Sequence, residues 1–171
     1  MGEAEGGSMK RIAFIPARGT SKRFPRKNLA PFGPDKTPLV VVAATLAVQA
    51  ETIGLLDDVV VSSDSHGVLD IVQSRFPGQT TCLNRQPGPA TAETARVRDV
   101  LCAHMADHDL PTDMDICLLL PTSPLRTLRH ITESSRLLAE DVNMVMSLTP
   151  LVQDVKFGAY GLPAHAVFHD K

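Results

Sequence analysis

Long apolar runs are missing from this 171-residue chain. Nothing approaches 18 consecutive apolar residues, so no membrane-spanning helix is expected. The N-terminal MGEAEGGSMK is acidic and Gly-rich with no apolar stretch inside it, which is not the pattern of a secretory signal; a cytoplasmic location is expected. Cysteine is scarce. Cys82, Cys102 and Cys117 are odd in number, far apart and never spaced as CxxC, which argues against a disulfide framework and against a zinc site. Three small buried hydrophobes are expected instead. Internal repeats are absent, as is any low-complexity run beyond the first nine residues, which read as a flexible tail. Neither the GxxxxGK[ST] pattern nor GxGxxG occurs.

What remains is an ordinary globular composition, 43% hydrophobic and 21% charged, with a net charge of -2 that hides an asymmetry. Between Lys10 and Lys36 stand eight basic side chains and one acid, a net +7, so the remainder carries -9. A nucleic-acid surface would make a whole face basic. One positive segment on an acidic protein suits a compact polyanion such as a nucleoside triphosphate, with no nucleic acid or membrane partner.

The residue pattern alternates. RIAFIPA (Arg11 to Ala17) reads as a buried strand, Pro38 to Glu51 as a mostly buried helix, and DVVVSS (Asp58 to Ser63) as a β-branched strand. Asp64 and Ser65 can cap a helix from about His66 to Arg75. Thr80 to Leu83 is a weaker strand, and Thr91 to His108 has the spacing of an amphipathic helix. ICLLL (Ile116 to Leu120), a helix from Leu128 to Glu140 and NMVMSL (Asn143 to Leu148) complete the series, with KFGAY hinting at one more strand. Continuously apolar strands separated by helices predict an α/β fold, a doubly wound, mostly parallel sheet between two helical layers, in one domain from residue 10 to 171. Ligands of such sheets gather at the carboxyl ends of the strands, where ARGTSKRFPRKN, SSDSH, NRQPGPATAET and PTSPLRT stand.

The first of these loops has a specific chemistry. Gly19 gives a backbone free of Cβ sterics, Thr20 and Ser21 give hydroxyls, and Arg18, Lys22 and Lys27 can reach one volume from three points. Such an arrangement neutralises phosphate oxygens and the charge that builds on a leaving pyrophosphate.

IAFIPARGTSKRFPRKNLAPFG closely resembles the opening motif of the acylneuraminate cytidylyltransferases, the CMP-sugar synthetases, approximately IPARGGSKGIPRKNI. VVVSSDS agrees as well, and LLLPTSPLRT resembles the family's LLQPTSPLR, so that three motifs stand in order from about Lys10 to Lys156. The resemblance implies a Rossmann-like fold of the nucleotide-diphospho-sugar transferase type. It also implies transfer of CMP from CTP to an acidic sugar, sialic acid or a related nonulosonic acid, with release of pyrophosphate and the help of Mg2+ or another divalent cation. Arg18, Gly19, Ser21, Lys22, Lys27 and Asn28 fall on the triphosphate loop, with Arg18, Lys22 and Lys27 in the catalytic role. Arg85 stands where the family has an Arg on the cytosine, and Thr94 near a hydroxyl residue that holds the nucleoside. Lys156 matches a Lys on the sugar-acid side, and Arg126 can face a substrate carboxylate or cap neighbouring carbonyls. Read as residues alone, Arg85 can also be a surface Arg at a strand end and Lys156 a solvated loop lysine. A homodimer is the assembly that the resemblance favours.

Two departures from the family stand out. Leu120 replaces the Gln of LLQPTSPLR, and an apolar side chain cannot hydrogen-bond a sugar hydroxyl, which points to a different acceptor or pose. The family's late aspartate motif, which holds the metal, has no counterpart before Lys171, so the C-terminal part of the family domain is expected to be missing and the metal ligands are unassigned. Asp64 is the one carboxylate at an expected strand end, and helix capping is its expected role. Other acceptors or bases, and a nucleotide-binding remnant without turnover, are the alternatives. His104 and His108, four apart on a helix, have a metal-compatible spacing but no third ligand, and are expected to be exposed.

Overall fold

Ile12, Ala13, Phe14 and Ile15 are all buried, which a strand permits only when both of its faces are covered. A computed structural model describes residues 10–21, 24–85, 95–108, 110, 114–138, 144–147 and 165–168. They form two compact units, Met1–Arg126 and Thr127–Lys171.

In the first unit the chain runs through β1 (Arg11–Pro16), a 3-10 turn (Lys27–Leu29), β2 (Pro31–Phe32), β3 (Thr37–Pro38), α1 (Leu39–Thr52), β4 (Asp58–Ser63), α2 (His66–Arg75), β5 (Thr81–Asn84), α3 (Val97–Asp107) and β6 (Asp115–Leu118). Four strands make a parallel sheet in the order β5-β4-β1-β6, with Ile12 opposite Asp58 on one side and Ile116 on the other. β1 is therefore central. Ile12, Phe14 and Val60 share one face with Val100 of α3, joined by Leu83, Leu101, Met114 and Ile116. Side chains alternate along a strand, which leaves Ala13, Ile15, Val59 and Val61 to the other face. There α1 and α2 pack against each other and against the strands. The result is the α/β/α layering expected from the sequence.

The Thr127–Lys171 unit holds α4 (Leu128–Leu138) and the antiparallel pair β7 (Met144–Ser147) and β8 (His165–Phe168). Thr127 Oγ1 and Nδ1 of His130 lie 2.9 Å apart where α4 begins. KFGAY lies outside the described residues. No helix among the described residues is long and apolar enough to cross a membrane.

Several expectations need correcting. The third helix starts at Val97 and not at Thr91: Arg96 has an extended backbone, and its N-H donates to Oδ2 of Asp99 at 2.9 Å, an end that fixes the helix start. The strand expected over Ile116–Leu120 covers Asp115–Leu118, because the Leu120 carbonyl accepts from Ser123 N and turns the chain. The cysteines are not all buried. Cys102 is exposed, two residues around α3 from inward Val100, while Cys82 and Cys117 are half-buried. Burial raises the pKa of both half-buried thiols. His104 is buried at 8% exposure, against the expectation of a solvated helix end; it lies on the same α3 stripe as Val100.

Candidate active site

The carboxyl ends of β1 and β4 are tied together by a short ladder that continues beyond both strands. Ala17 N donates to the Ser62 carbonyl at 2.8 Å, and Gly19 N donates to Oδ1 of Asp64 at 2.6 Å. A short bond to a carboxylate is a strong one. Asp64 therefore does not cap α2 with its side chain, contrary to expectation; Ser65 is the N-cap residue and makes no side-chain capping bond. A Cβ built on Gly19 would stand 2.3 Å from Cβ of Ser65. Only glycine lets the first loop approach the second so closely.

Asn28 holds the far side of the loop. It is buried, and its Nδ2 donates to the Arg18 carbonyl at 2.7 Å, so the 3-10 turn that carries Lys27 and Asn28 is fastened to the end of β1. Lys27 is half-exposed, Ser21 is half-buried, and Arg26 before the turn takes a left-handed φ of 54°. Lys22, Thr94 and Lys156 lie outside the described residues.

Arg85 follows β5 and reaches over the end of β4. Its Nε donates to Oγ of Ser62 at 2.9 Å and its Nη2 to the Ser62 carbonyl at 2.6 Å, while its own N-H bonds the Ser63 carbonyl at 2.8 Å. Arg18 sends Nη2 to the Ala95 carbonyl at 3.2 Å, just ahead of α3. Burial lowers the pKa of the Arg85 guanidinium; Asp64 opposes the shift and the charge of Arg18 adds to it. At this edge the charges of Asp64 and Arg18 both reach the Arg85 guanidinium.

Arg126 stands apart at the end of β6, its Nη1 donating weakly to the Leu118 carbonyl at 3.4 Å, as in the carbonyl-capping reading of the sequence. Leu120 beside it is half-buried. The structure thus gathers Arg18, Gly19, Asn28 and Arg85 into one edge with Lys27 on the adjoining turn. It also reveals Ser62, Ser63 and Asp64 as their supports. Ser62 and Ser63 are buried, and Oγ of Ser63 accepts from Ser65 N at 3.0 Å. Their signal in the sequence is two hydroxyls closing a β-branched apolar run, where further apolar residues would otherwise continue the core.

Among the described residues, no three His, Cys, Asp or Glu side chains come together to hold a metal ion. Asp64 already gives one oxygen to Gly19. The described residues do not by themselves compose a cation site.

A family model described as cytidylyltransferase matches residues 12–156. The chain belongs to the cytidylyltransferase family. It is 38% identical over 63 residues to a pseudaminic acid cytidylyltransferase of Campylobacter jejuni, a stretch covering 37% of this chain and 25% of that protein. It is 29% identical over 147 residues to a CMP-N,N'-diacetyllegionaminic acid synthase of Legionella pneumophila, covering 84% of this chain and 59% of that one. The chain spans less than two thirds of the length of these curated relatives. A crystal structure of a 4-diphosphocytidyl-2C-methyl-D-erythritol synthase superposes with a TM-score of 0.61 at 15% identity, over 95% of this chain and 74% of that one. A second such synthase, from Anaerococcus prevotii, gives 0.55 at 9% identity, over 93% and 68%. At these identities the likeness is one of fold, and it agrees with the Rossmann-like sheet of this cytidylyltransferase-family chain.

Proposed function

We propose that the chain binds CTP along the carboxyl edge of its sheet and transfers CMP to a hydroxyl of an acidic sugar, releasing pyrophosphate. The observation that carries this reading is the gathering of Arg18 and Arg85, with Asp64 close enough to act on Arg85, at the carboxyl edge of the sheet. The acceptor oxygen bonds to the α-phosphorus as the bond to the pyrophosphate oxygen breaks, a step governed by positioning and charge neutralisation. Arg18, Lys22 and Lys27 neutralise the phosphates, while Gly19, Ser21 and Asn28 shape the loop around them. Arg85 and Thr94 hold the nucleoside, and Arg126 and Lys156 face the acceptor. Triphosphate chemistry ordinarily recruits Mg2+, which therefore belongs in the assay.

The names of the relatives, one for pseudaminic acid and one for diacetyllegionaminic acid, support an acidic sugar of the nonulosonic class as acceptor. Half-buried Leu120, in place of Gln, favours an acceptor or pose other than that of sialic acid.

The test is pyrophosphate release from CTP with Mg2+ across a panel of 2-keto sugar acids. Turnover with at least one acid is expected, and Lys22→Ala should remove most of it, on the order of a hundredfold, without lowering the melting temperature. CTP binding with no release for any acceptor would overturn transfer in favour of a non-catalytic nucleotide-binding domain. Undiminished turnover in Lys22→Ala would refute the loop assignment.

A further inference from the structure

Ser62 lies near the end of β4, opposite Pro16 of β1 and Leu83 of β5. Its carbonyl accepts from Ala17 N at 2.8 Å and from Nη2 of Arg85 at 2.6 Å, and its Oγ accepts from Nε of Arg85 at 2.9 Å. One residue thus ties the loop after β1 to the guanidinium after β5. At 2% exposure Ser62 is closed to a bound nucleotide, so it can act on one only through a neighbour.

The surrounding strand explains why a hydroxyl stands there. Val59, Val60 and Val61 fill β4 with apolar side chains, and a buried hydroxyl at the next position costs free energy unless it is bonded. Arg85 supplies that bond. The ladder continues past β5, with Arg85 N-H on the Ser63 carbonyl, so Arg85 lies two positions beyond Leu83 on the face shared with Val60. A guanidinium carries five N-H donors in one plane, so holding one edge aims the other. Ser62 takes the edge formed by Nε and Nη2, and among the described residues Nη1 has no hydrogen-bond partner.

We infer, on the basis of the proposed binding of CTP, that Ser62 is a positioning residue for base selection: it holds the Nε side of Arg85 so that the Nη1/Nη2 edge meets the base, and cytosine is taken in preference to uracil. Cytosine carries two adjacent acceptors, O2 and N3, whereas uracil has an N-H donor at the second position. Two parallel donors pair fully with cytosine and meet a donor on uracil, and a site left with an unpaired donor rejects its ligand. The fork must be fixed for this to discriminate. An unheld guanidinium could turn to serve either base, and the two bonds from Ser62 remove that freedom.

Calorimetric titration of CTP and UTP into the intact chain tests the assignment. The wild type is expected to prefer CTP, and Ser62→Ala, which removes the Nε bond and keeps the carbonyl, should lower that preference about tenfold by weakening CTP and not UTP. A merely structural loss would weaken both. In an Arg85→Ala background, Ser62→Ala should change neither affinity, because the hydroxyl then has no guanidinium to hold. The Nε-H resonance of Arg85 in the nucleotide-free chain should exchange slowly in the wild type and fast in Ser62→Ala. Arg85→Lys keeps the charge without the fork, so it should also lose the preference, and it decides the matter should Ser62→Ala not fold. The proposal is overturned if Ser62→Ala or Arg85→Lys keeps the wild-type preference, if CTP and UTP weaken together, or if the Nε-H exchanges alike in both proteins. A wild type that binds CTP and UTP equally overturns it while leaving triphosphate binding intact; one that binds neither overturns it together with CTP binding itself.

Discussion

Gly19 and Asp64 define what a single residue does here. Their bond joins two loops 45 positions apart and holds the loop after β1 against the end of β4. The steric consequence is testable. Gly19→Ala puts a methyl group 2.3 Å from Cβ of Ser65, so the loop must move and CTP affinity should fall at least about tenfold, the loss of about one charge-assisted hydrogen bond. Ser65 makes no capping bond with its side chain, so Ser65→Gly can clear the obstruction at little cost to α2. Gly19→Ala combined with Ser65→Gly should recover most of the affinity in a calorimetric titration with CTP. A double variant as weak as the single one would dismiss the contact as the cause. The position of Arg18 and Gly19 at the end of a central strand was legible in the sequence because a basic, Gly-containing loop marks where the apolar run stops. The role of Asp64 was not, since local rules offer it a helix to cap, and its actual partner is distant in sequence.

At the scale of elements, β4 and α2 follow the sequence pattern residue for residue, because a β-branched run and a helix between Ser65 and Gly78 are marked at both ends. The pair β2–β3 was not legible. Its strands are two residues each and contain Pro31 and Pro38, too short for any periodicity, and the turn depends on left-handed Gly33 and Lys36. His104 was misread for a different reason. Histidine is commonly exposed, yet this one sits on the inward stripe of α3 with Val100, and the spacing could have identified it. Its burial has a consequence with a definite sign. An ordinary His titrates near about 6.5. The folded chain holds His104 below that value, through desolvation first and the charge of His108 second, against Asp107 and Asp58. Its contribution is fully present above about pH 6.5 and declines as the pH falls toward the folded value, because the unfolded chain then takes up a proton that the folded one resists. Lys10 and Asp58 line a pocket together with His104. Urea unfolding at about pH 7.5 and about pH 5.5 should show lower stability at the acid end. His104→Phe should reduce that difference; an equal pH dependence in both proteins would rule His104 out as a source.

For the molecule as a whole, the charge asymmetry of the sequence becomes a spatial one. Of the basic side chains between Lys10 and Lys36, Arg18, Arg26 and Lys27 follow the carboxyl end of β1 while Lys10 and Arg11 stand at its start, on a chain that is otherwise acidic. Screening lengths fall from about 10 Å at 0.1 M salt to about 3 Å at 1 M. CTP affinity should therefore weaken several-fold across that range, while cytidine, lacking phosphates, should bind with little salt dependence; parallel titrations that fall together would argue against phosphate recognition by this loop. The layered architecture was legible because alternating strands and helices admit few arrangements. The pairing of β7 with β8 was not, since only the first of the two was marked by its residues. Central placement of β1 also bears on how the chain acquires its fold. One side of β1 pairs with β4, but the other waits for β6, and Arg11 closes on Asp115 across 104 positions at 2.8 Å. Such distant pairing slows folding. On a ribosome, β1 is made before either of its sheet neighbours and is flanked on both sides only after Leu118 has been synthesised, so the loop that leaves its carboxyl end gains its full support late.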